Sequence, residues 1–218
     1  MKKILLSLIA LAALPVAAPA QTAWNESASE LQAMQAKAKP ENGKVLFTPC
    51  VGCHRDDAAG RTSGAYPRLA GQHFTVLLKQ MLDIKAGRRT NPKMQPYIDD
   101  HVANPAEMAD VAAWLASLPI PEKRIGRGPG GGIEEGKALF QRDCAKCHGK
   151  NGEGDADAFY PMVAAQHYRY LLRELHYIRD GDRGNSNPDM VVVIKPYREA
   201  ELDALADYMS SLPPPAGK

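Results

Sequence analysis

The sequence is short of aromatic side chains, has only four cysteines, and carries no excess of charge of either sign. Each shortage excludes something. Aromatic residues fill 6% of the 218 positions, while 44% are hydrophobic and 24% charged, so the composition is that of a folded protein with few large rings for its core. Such a chain needs a staple or a large apolar ligand, the more so if it divides into small units whose cores stabilise weakly. Lys and Arg number 27 and Asp and Glu 25; setting aside Lys2 and Lys3 leaves 25 of each, and a cut at Leu118 leaves both halves near neutrality. A nucleic-acid binder would show a basic excess, and neither half does. No alternation of apolar and polar residues argues for a strand.

Long apolar runs are also missing, except at the start. Lys2 and Lys3 precede the apolar stretch Ile4 to Ala13, and Ala18-Pro19-Ala20 supplies a small-residue cleavage site. Residues 1–20 therefore read as an export signal, with the mature chain beginning at Gln21. The run is too short to span a bilayer comfortably, which disfavours an uncleaved anchor. The expectation is a soluble exported protein without a stable membrane span, in the periplasm if the cell is Gram-negative.

What is there is a repeat. Gly43-Lys44-Val45-Leu46-Phe47 answers to Gly136-Lys137-Ala138-Leu139-Phe140, and Cys50-Val51-Gly52-Cys53-His54 to Cys144-Ala145-Lys146-Cys147-His148. Tyr66-Pro67 and Gln72-His73 answer to Tyr160-Pro161 and Gln166-His167; Asn91-Pro92-Lys93-Met94 answers to Asn187-Pro188-Asp189-Met190. The paired cysteines recur 94 residues apart, a small domain's length. Between the copies, Pro119 to Pro121 and Gly126 to Gly132 form a stretch that neither helix nor strand favours. This divides the chain into residues 1–20, an N-terminal domain 21–118, a linker 119–132 and a C-terminal domain 133–218. Each copy reads as helical. Gln72 to Ala86 and Tyr168 to Asp180 carry apolar residues at helical spacing and stop at Gly87 and Gly181, and Ala106 to Leu118 and Glu199 to Leu212 close the two copies before proline.

Four cysteines in an exported chain ordinarily suggest disulfides. Here each pair has the spacing Cys-x-x-Cys-His, the attachment sequence of c-type haem, in which two thiols form thioethers and the histidine ligates iron. A single match also suits zinc or a redox dithiol. Two matches at one place in a repeat point to two covalently bound haem c groups, on Cys50 and Cys53 and on Cys144 and Cys147, with His54 and His148 as iron ligands. The repeat also sorts the methionines. Met94 and Met190 follow matching Asn-Pro pairs, 40 and 42 residues beyond their histidines, and are the candidates for the opposite iron ligand. Met34, Met81, Met108 and Met209 lie on expected helices and read as core, and Met162 has Arg68 as its counterpart. His73 and His167 match across the repeat, which keeps a bis-histidine site conceivable beside a plainer role as caps or hydrogen-bond partners. Pro67 and Pro161 lie 13 residues past the histidines, where their carbonyls could accept the imidazole Nδ1–H and fix its tautomer. Turn formation alone would explain the same spacing. Gly43 and Gly136 suggest close helix crossings, against Trp114 and Tyr208.

The order Gly-x-x-x-Phe, Cys-x-x-Cys-His, Tyr-Pro, Gln-His, helix, Asn-Pro-x-Met and closing aromatic helix resembles class I cytochrome c, and its duplication resembles the di-haem cytochrome c4 family over nearly all of the mature chain. The pattern departs after Met94, where Gln95-Pro96-Tyr97 and two extra residues precede the closing helix, and in a long Trp24 to Lys39 segment. The resemblance implies an all-α fold of two tandem cytochrome c domains about a pseudo-twofold axis, with His54/Met94 and His148/Met190 ligation. It implies an electron carrier between respiratory or sulfur-oxidising redox partners and an acceptor such as a terminal oxidase, docking transiently and most simply monomeric. The competing reading is a haem subunit or dedicated acceptor of a sulfur-compound dehydrogenase. A catalytic di-haem enzyme would need an open iron site or a spare ligand, and only Lys93, beside Met94, offers one.

Overall fold

The computed structural model describes residues 28–102 and 104–217. The export signal read at 1–20 lies outside the described residues, as does Trp24. The described chain is helical, and its one β-type pairing is an isolated bridge between Asp155 and Tyr160. The first half contains α1 (Ala28–Lys37), α2 (Pro40–Leu46), α3 (Val51–His54), α4 (Phe74–Lys85), α5 (Gln95–His101) and α6 (Pro105–Ser117); the second contains α7 (Ile133–Leu139), α8 (Ala145–His148), α9 (Tyr168–Asp180), α10 (Pro188–Ile194) and α11 (Glu199–Ser211). The helices begin and end for local reasons. Asn104 caps α6 by accepting the Glu107 N–H at 3.0 Å, and Asn187 caps α10 by accepting the Asp189 N–H at 2.8 Å. Pro105 and Pro188 follow at the first helical position, where a missing N–H costs nothing. Gly181 ends α9 in the left-handed conformation at φ 88°.

Each half is built on one tight crossing. A Cβ on Gly43 would lie 1.9 Å from the Asp110 carbonyl oxygen, and one on Gly136 would lie 2.0 Å from that of Ala204. Only glycine lets α2 lie on α6 and α7 on α11 so closely. The sequence pattern suggested Trp114 and Tyr208 as the crossing points; Tyr208 does meet Gly136, its Cβ 2.8 Å from where a Cβ on that glycine would lie, whereas Gly43 meets the backbone of Asp110, one turn before Trp114. The phenylalanine four residues on meets the ring: Phe47 with Trp114 at 4.8 Å and Phe140 with Tyr208 at 5.4 Å between centroids. Phe47, Leu78, Ile98, Met108 and Leu115 fill the first core, and Phe140, Leu171, Ile194, Leu202 and Leu205 the second. Each such side chain contributes roughly 1.5–3 kcal/mol by leaving water. Helix α1 packs on the first core through Leu31, with Met34 half-buried beside it.

The halves are clamped by reciprocal bonds. Gln72 accepts the Met162 N–H at 3.0 Å and donates to the Met162 carbonyl at 2.9 Å; Gln166 does the same to Arg68, at 2.9 and 3.0 Å. A polar network lies beside these clips. Buried Asp83 takes Lys79 at 2.7 Å from its own helix and Asn185 at 2.6 Å from the other half, while Arg89 reaches Glu174 at 3.1 Å. The glycine-rich stretch is pinned to α11, with Asp207 accepting the N–H groups of Gly130 and Gly132 at 3.1 and 2.9 Å.

Candidate functional site

The site is duplicated, and each copy is assembled from one attachment turn and one extended arm. In the first copy α3 ends at His54, where Arg55 takes φ 70°, and the chain returns to Pro67. The Nδ1 of His54 stands 3.2 Å from the Pro67 carbonyl oxygen. In the second copy α8 ends at His148, Gly149 takes φ 78°, and Nδ1 of His148 stands 3.0 Å from the Pro161 carbonyl oxygen. A carbonyl can only accept, so in both rings Nδ1 carries the proton and Nε2 the lone pair. Burial drives the His54 imidazole down to about 4 against the opposing pull of its carbonyl, and it depresses His148 in the same way. Both are therefore neutral at ordinary pH, the form that ligates a metal. Tyr66 and Tyr160 stand beside these rings, 5.9 and 6.3 Å away between centroids.

The residues fit haem on observations of their own. The Nε2 of His54 is buried and has no hydrogen-bond partner, an arrangement that costs free energy unless something accepts its lone pair. None of the four cysteines forms a disulfide, and burial pushes the thiols of Cys50 and Cys144 up to about 11 and about 12. They are poor thiolates, unlike the cysteines of a reactive dithiol. Among the described residues no group of three or more His, Cys, Asp or Glu side chains is placed to hold a bare metal ion. Two thiols and a neutral histidine with a free Nε2 are what covalent haem attachment uses.

Met94 stands at the N-cap of α5, and Met190 lies in the first turn of α10 after the capping Asn187. Both are half-buried against the core of their own half, whereas Met108, Met162 and Met209 are fully buried. His73 and His167, conceivable from the repeat as iron ligands, are used elsewhere. The Nε2 of His73 donates to the Glu153 carbonyl at 2.8 Å and that of His167 to the Ala59 carbonyl at 2.8 Å, each in the other half. The Nδ1 of His167 also accepts the Gly126 N–H at 3.0 Å, so both of its nitrogens are occupied. Their function is to clamp the halves, and the bis-histidine reading falls. Sequence reasoning also missed the bonds of Gln72, Gln166 and Arg68, whose partners in the other half lie ninety or more residues away. The recurring Gln-His pair was the signal for the two glutamines, and the mismatch opposite Met162 the signal for Arg68.

A family model described as Cytochrome c matches this chain twice, over residues 40–119 and 133–213. Over 203 residues the chain is 32% identical to the thiosulfate dehydrogenase electron acceptor of Stutzerimonas stutzeri (strain A1501), a match covering 85% of this chain and 92% of that protein. It is 28% identical to the cytochrome c4 of Azotobacter vinelandii over 189 residues, covering 78% of this chain and 87% of the relative. Among solved structures it resembles reduced recombinant cytochrome c4 from Pseudomonas stutzeri, with a TM-score of 0.72 at 28% identity over 80% of this chain and 99% of that one.

Proposed function

The chain belongs to the cytochrome c family, carries one covalently bound haem c in each half, and on that premise we propose that it is an exported di-haem carrier between respiratory or sulfur-oxidising redox partners and a terminal acceptor such as an oxidase. The observation that carries this reading is the duplicated seat, a neutral histidine tied by Nδ1 to a proline carbonyl beside two cysteines, present once in each half. Bound haem supplies one-electron exchange between ferric and ferrous iron. The protein's share is to hold, orient and insulate. Pro67 and Pro161 fix the imidazole tautomer and strengthen Nε2 as a donor. Met94 and Met190 would supply the second iron ligand of each haem, and a thioether there would favour the reduced state and electron transfer over chemistry on the metal. The reciprocal clips of Gln72 and Gln166 hold the two seats at one separation, so that transfer between them needs no reorganisation of the halves.

Among the described residues no helix is long and apolar enough to cross a membrane, and the export signal reading places the carrier in the periplasm. Its docking to redox partners is weak and transient, as suits a carrier. The second reading, a dedicated acceptor or haem subunit of a sulfur-compound dehydrogenase, is favoured by the name and near-full coverage of one relative. Purified with its haems, the chain should stay oxidised in thiosulfate alone and accept two electrons per chain once a thiosulfate dehydrogenase is added. Consumption of thiosulfate by the chain alone would make it an enzyme. A second polypeptide co-purifying in fixed ratio would make it a subunit.

A further inference from the structure

Arg68 is the largest of the fully buried side chains, with 1% of its surface exposed, and it lies on the seam between the halves. Its Nε donates to the Ala165 carbonyl at 2.7 Å, and one terminal nitrogen donates to the Ala164 carbonyl at 3.1 Å and to the Met162 sulfur at 3.6 Å. The other terminal nitrogen donates to Ala70 in its own half. Every partner is neutral, and no ion pair among the described residues involves Arg68. Taking a guanidinium out of water is costly unless its N–H groups find acceptors, and here backbone carbonyls and a thioether from both halves supply them. Burial draws its pKa down to about 10, so the guanidinium still carries its charge at neutral pH.

Its position explains what the charge can reach. Arg68 directly follows Pro67, and Met162, whose sulfur it touches, directly follows Pro161. The two residues occupy equivalent places in the repeat, and they bring a cation and a thioether together where the halves meet. Arg68 thus directly follows one of the carbonyl arms that hold the ligating histidines, and its guanidinium bonds to the residue that directly follows the other. A fixed positive charge in a poorly screened interior opposes any state that adds positive charge beside it. Oxidation of either iron adds one.

We propose that Arg68 is a positioning charge shared by both haem sites, which raises both reduction potentials through its placement between the two proline arms. The inference rests on the di-haem reading above. The symmetric alternative, a thioether at both positions, would put no charge between these two residues.

The test is an optical redox titration of the full chain with both haems, alongside Arg68→Gln, Arg68→Lys, Met162→Glu and Met162→Gln. Arg68→Gln should make both haems harder to reduce, by about tenfold in equilibrium constant, which is 59 mV for a one-electron couple. Arg68→Lys should recover most of that loss because the charge returns without the fork. Met162→Glu, which sets a carboxylate against the intact guanidinium, should lower both potentials as well, and Met162→Gln should not. The proposal is overturned if Arg68→Gln retains two haems with unmoved potentials, or if Lys falls as far as Gln, which would mean packing alone. Should Arg68→Gln fail to fold, unmoved potentials in Met162→Glu overturn it equally. Failure of the di-haem reading is a separate result, visible as fewer than two covalent haems in the parent chain.

Discussion

In the first half three residues, Thr48–Cys50, form a tight 3-10 turn between Phe47 and the attachment helix; in the second the same join runs Phe140–Cys144 and winds as a π turn. The second copy has one more residue between its phenylalanine and its first cysteine, and the wider turn absorbs it without moving either end. The arms from histidine to proline differ too, since the first balances Arg55 and Arg61 against Asp56 and Asp57 while the second sets only Lys150 against Glu153, Asp155 and Asp157, yet both span 13 residues and both end in a bond to Nδ1. The comparison teaches where the repeat tolerates change. Turn type, surface charge and even the ring that closes the core (Trp114 in one half, Tyr208 in the other) vary, while the histidine, its carbonyl and the glycine crossing do not.

The comparison breaks most completely if one attachment motif is removed. Replacing Cys144 and Cys147 with Ser should halve the covalent haem per chain, and replacing Cys50 and Cys53 should do the same, as read by haem stain and pyridine haemochrome stoichiometry. Next in size are the sulfur ligands. Met94→Ala and Met190→Ala should each lower the potential of one haem and open it to an added ligand such as imidazole, leaving the other untouched. If neither substitution alters the oxidised spectrum, the sulfur assignment is wrong.

The clips give a smaller and sharper comparison. Gln72→Ala and Gln166→Ala each strand a buried backbone N–H and C=O, at about 1–3 kcal/mol per group, measurable as a fall in denaturation midpoint. Gln166→Ala should cost more, because it releases the backbone of Arg68 and with it the buried guanidinium. Equal losses would show that the seam treats both halves alike.

The smallest effect is on pH. Burial, aided by Arg68, keeps His167 neutral by lowering its pKa, although the Ala59 carbonyl pulls the other way. As pH falls below about 6.5 the unfolded chain takes up a proton that the folded chain refuses, so stability falls from there down towards the lowered folded value. His167→Gln should flatten that part of the stability curve, and an unchanged slope would count against the clamp.

Much of this was legible in the sequence because it is local or repeated. The attachment motifs, the helices ending at Gly87 and Gly181, and the closing helices need no partner from outside their own repeat. The all-α duplicated fold follows from them. What could not be read were the bonds that cross the seam. His73 and His167 looked like possible iron ligands because a histidine recurring beside a haem motif carries no mark of which atom it faces. Gly43 was legible as a crossing, but its partner lies one turn from the residue suggested. The glycine stretch 126–132 gave no sign that Asp207 and Ser210, about eighty residues away, pin it to α11. Arg68 stood out only as the mismatch opposite Met162, and its meaning needed the seam.

The most direct test of the central claim is an optical and potentiometric titration of the haem-loaded chain. The account predicts two haems per chain, both showing the weak methionine-sulfur-to-iron band of the oxidised state and both titrating at positive potential. One haem that lacks the band, titrates far lower or binds a small ligand would contradict a pair of closed carrier sites and turn attention to turnover of sulfur substrates.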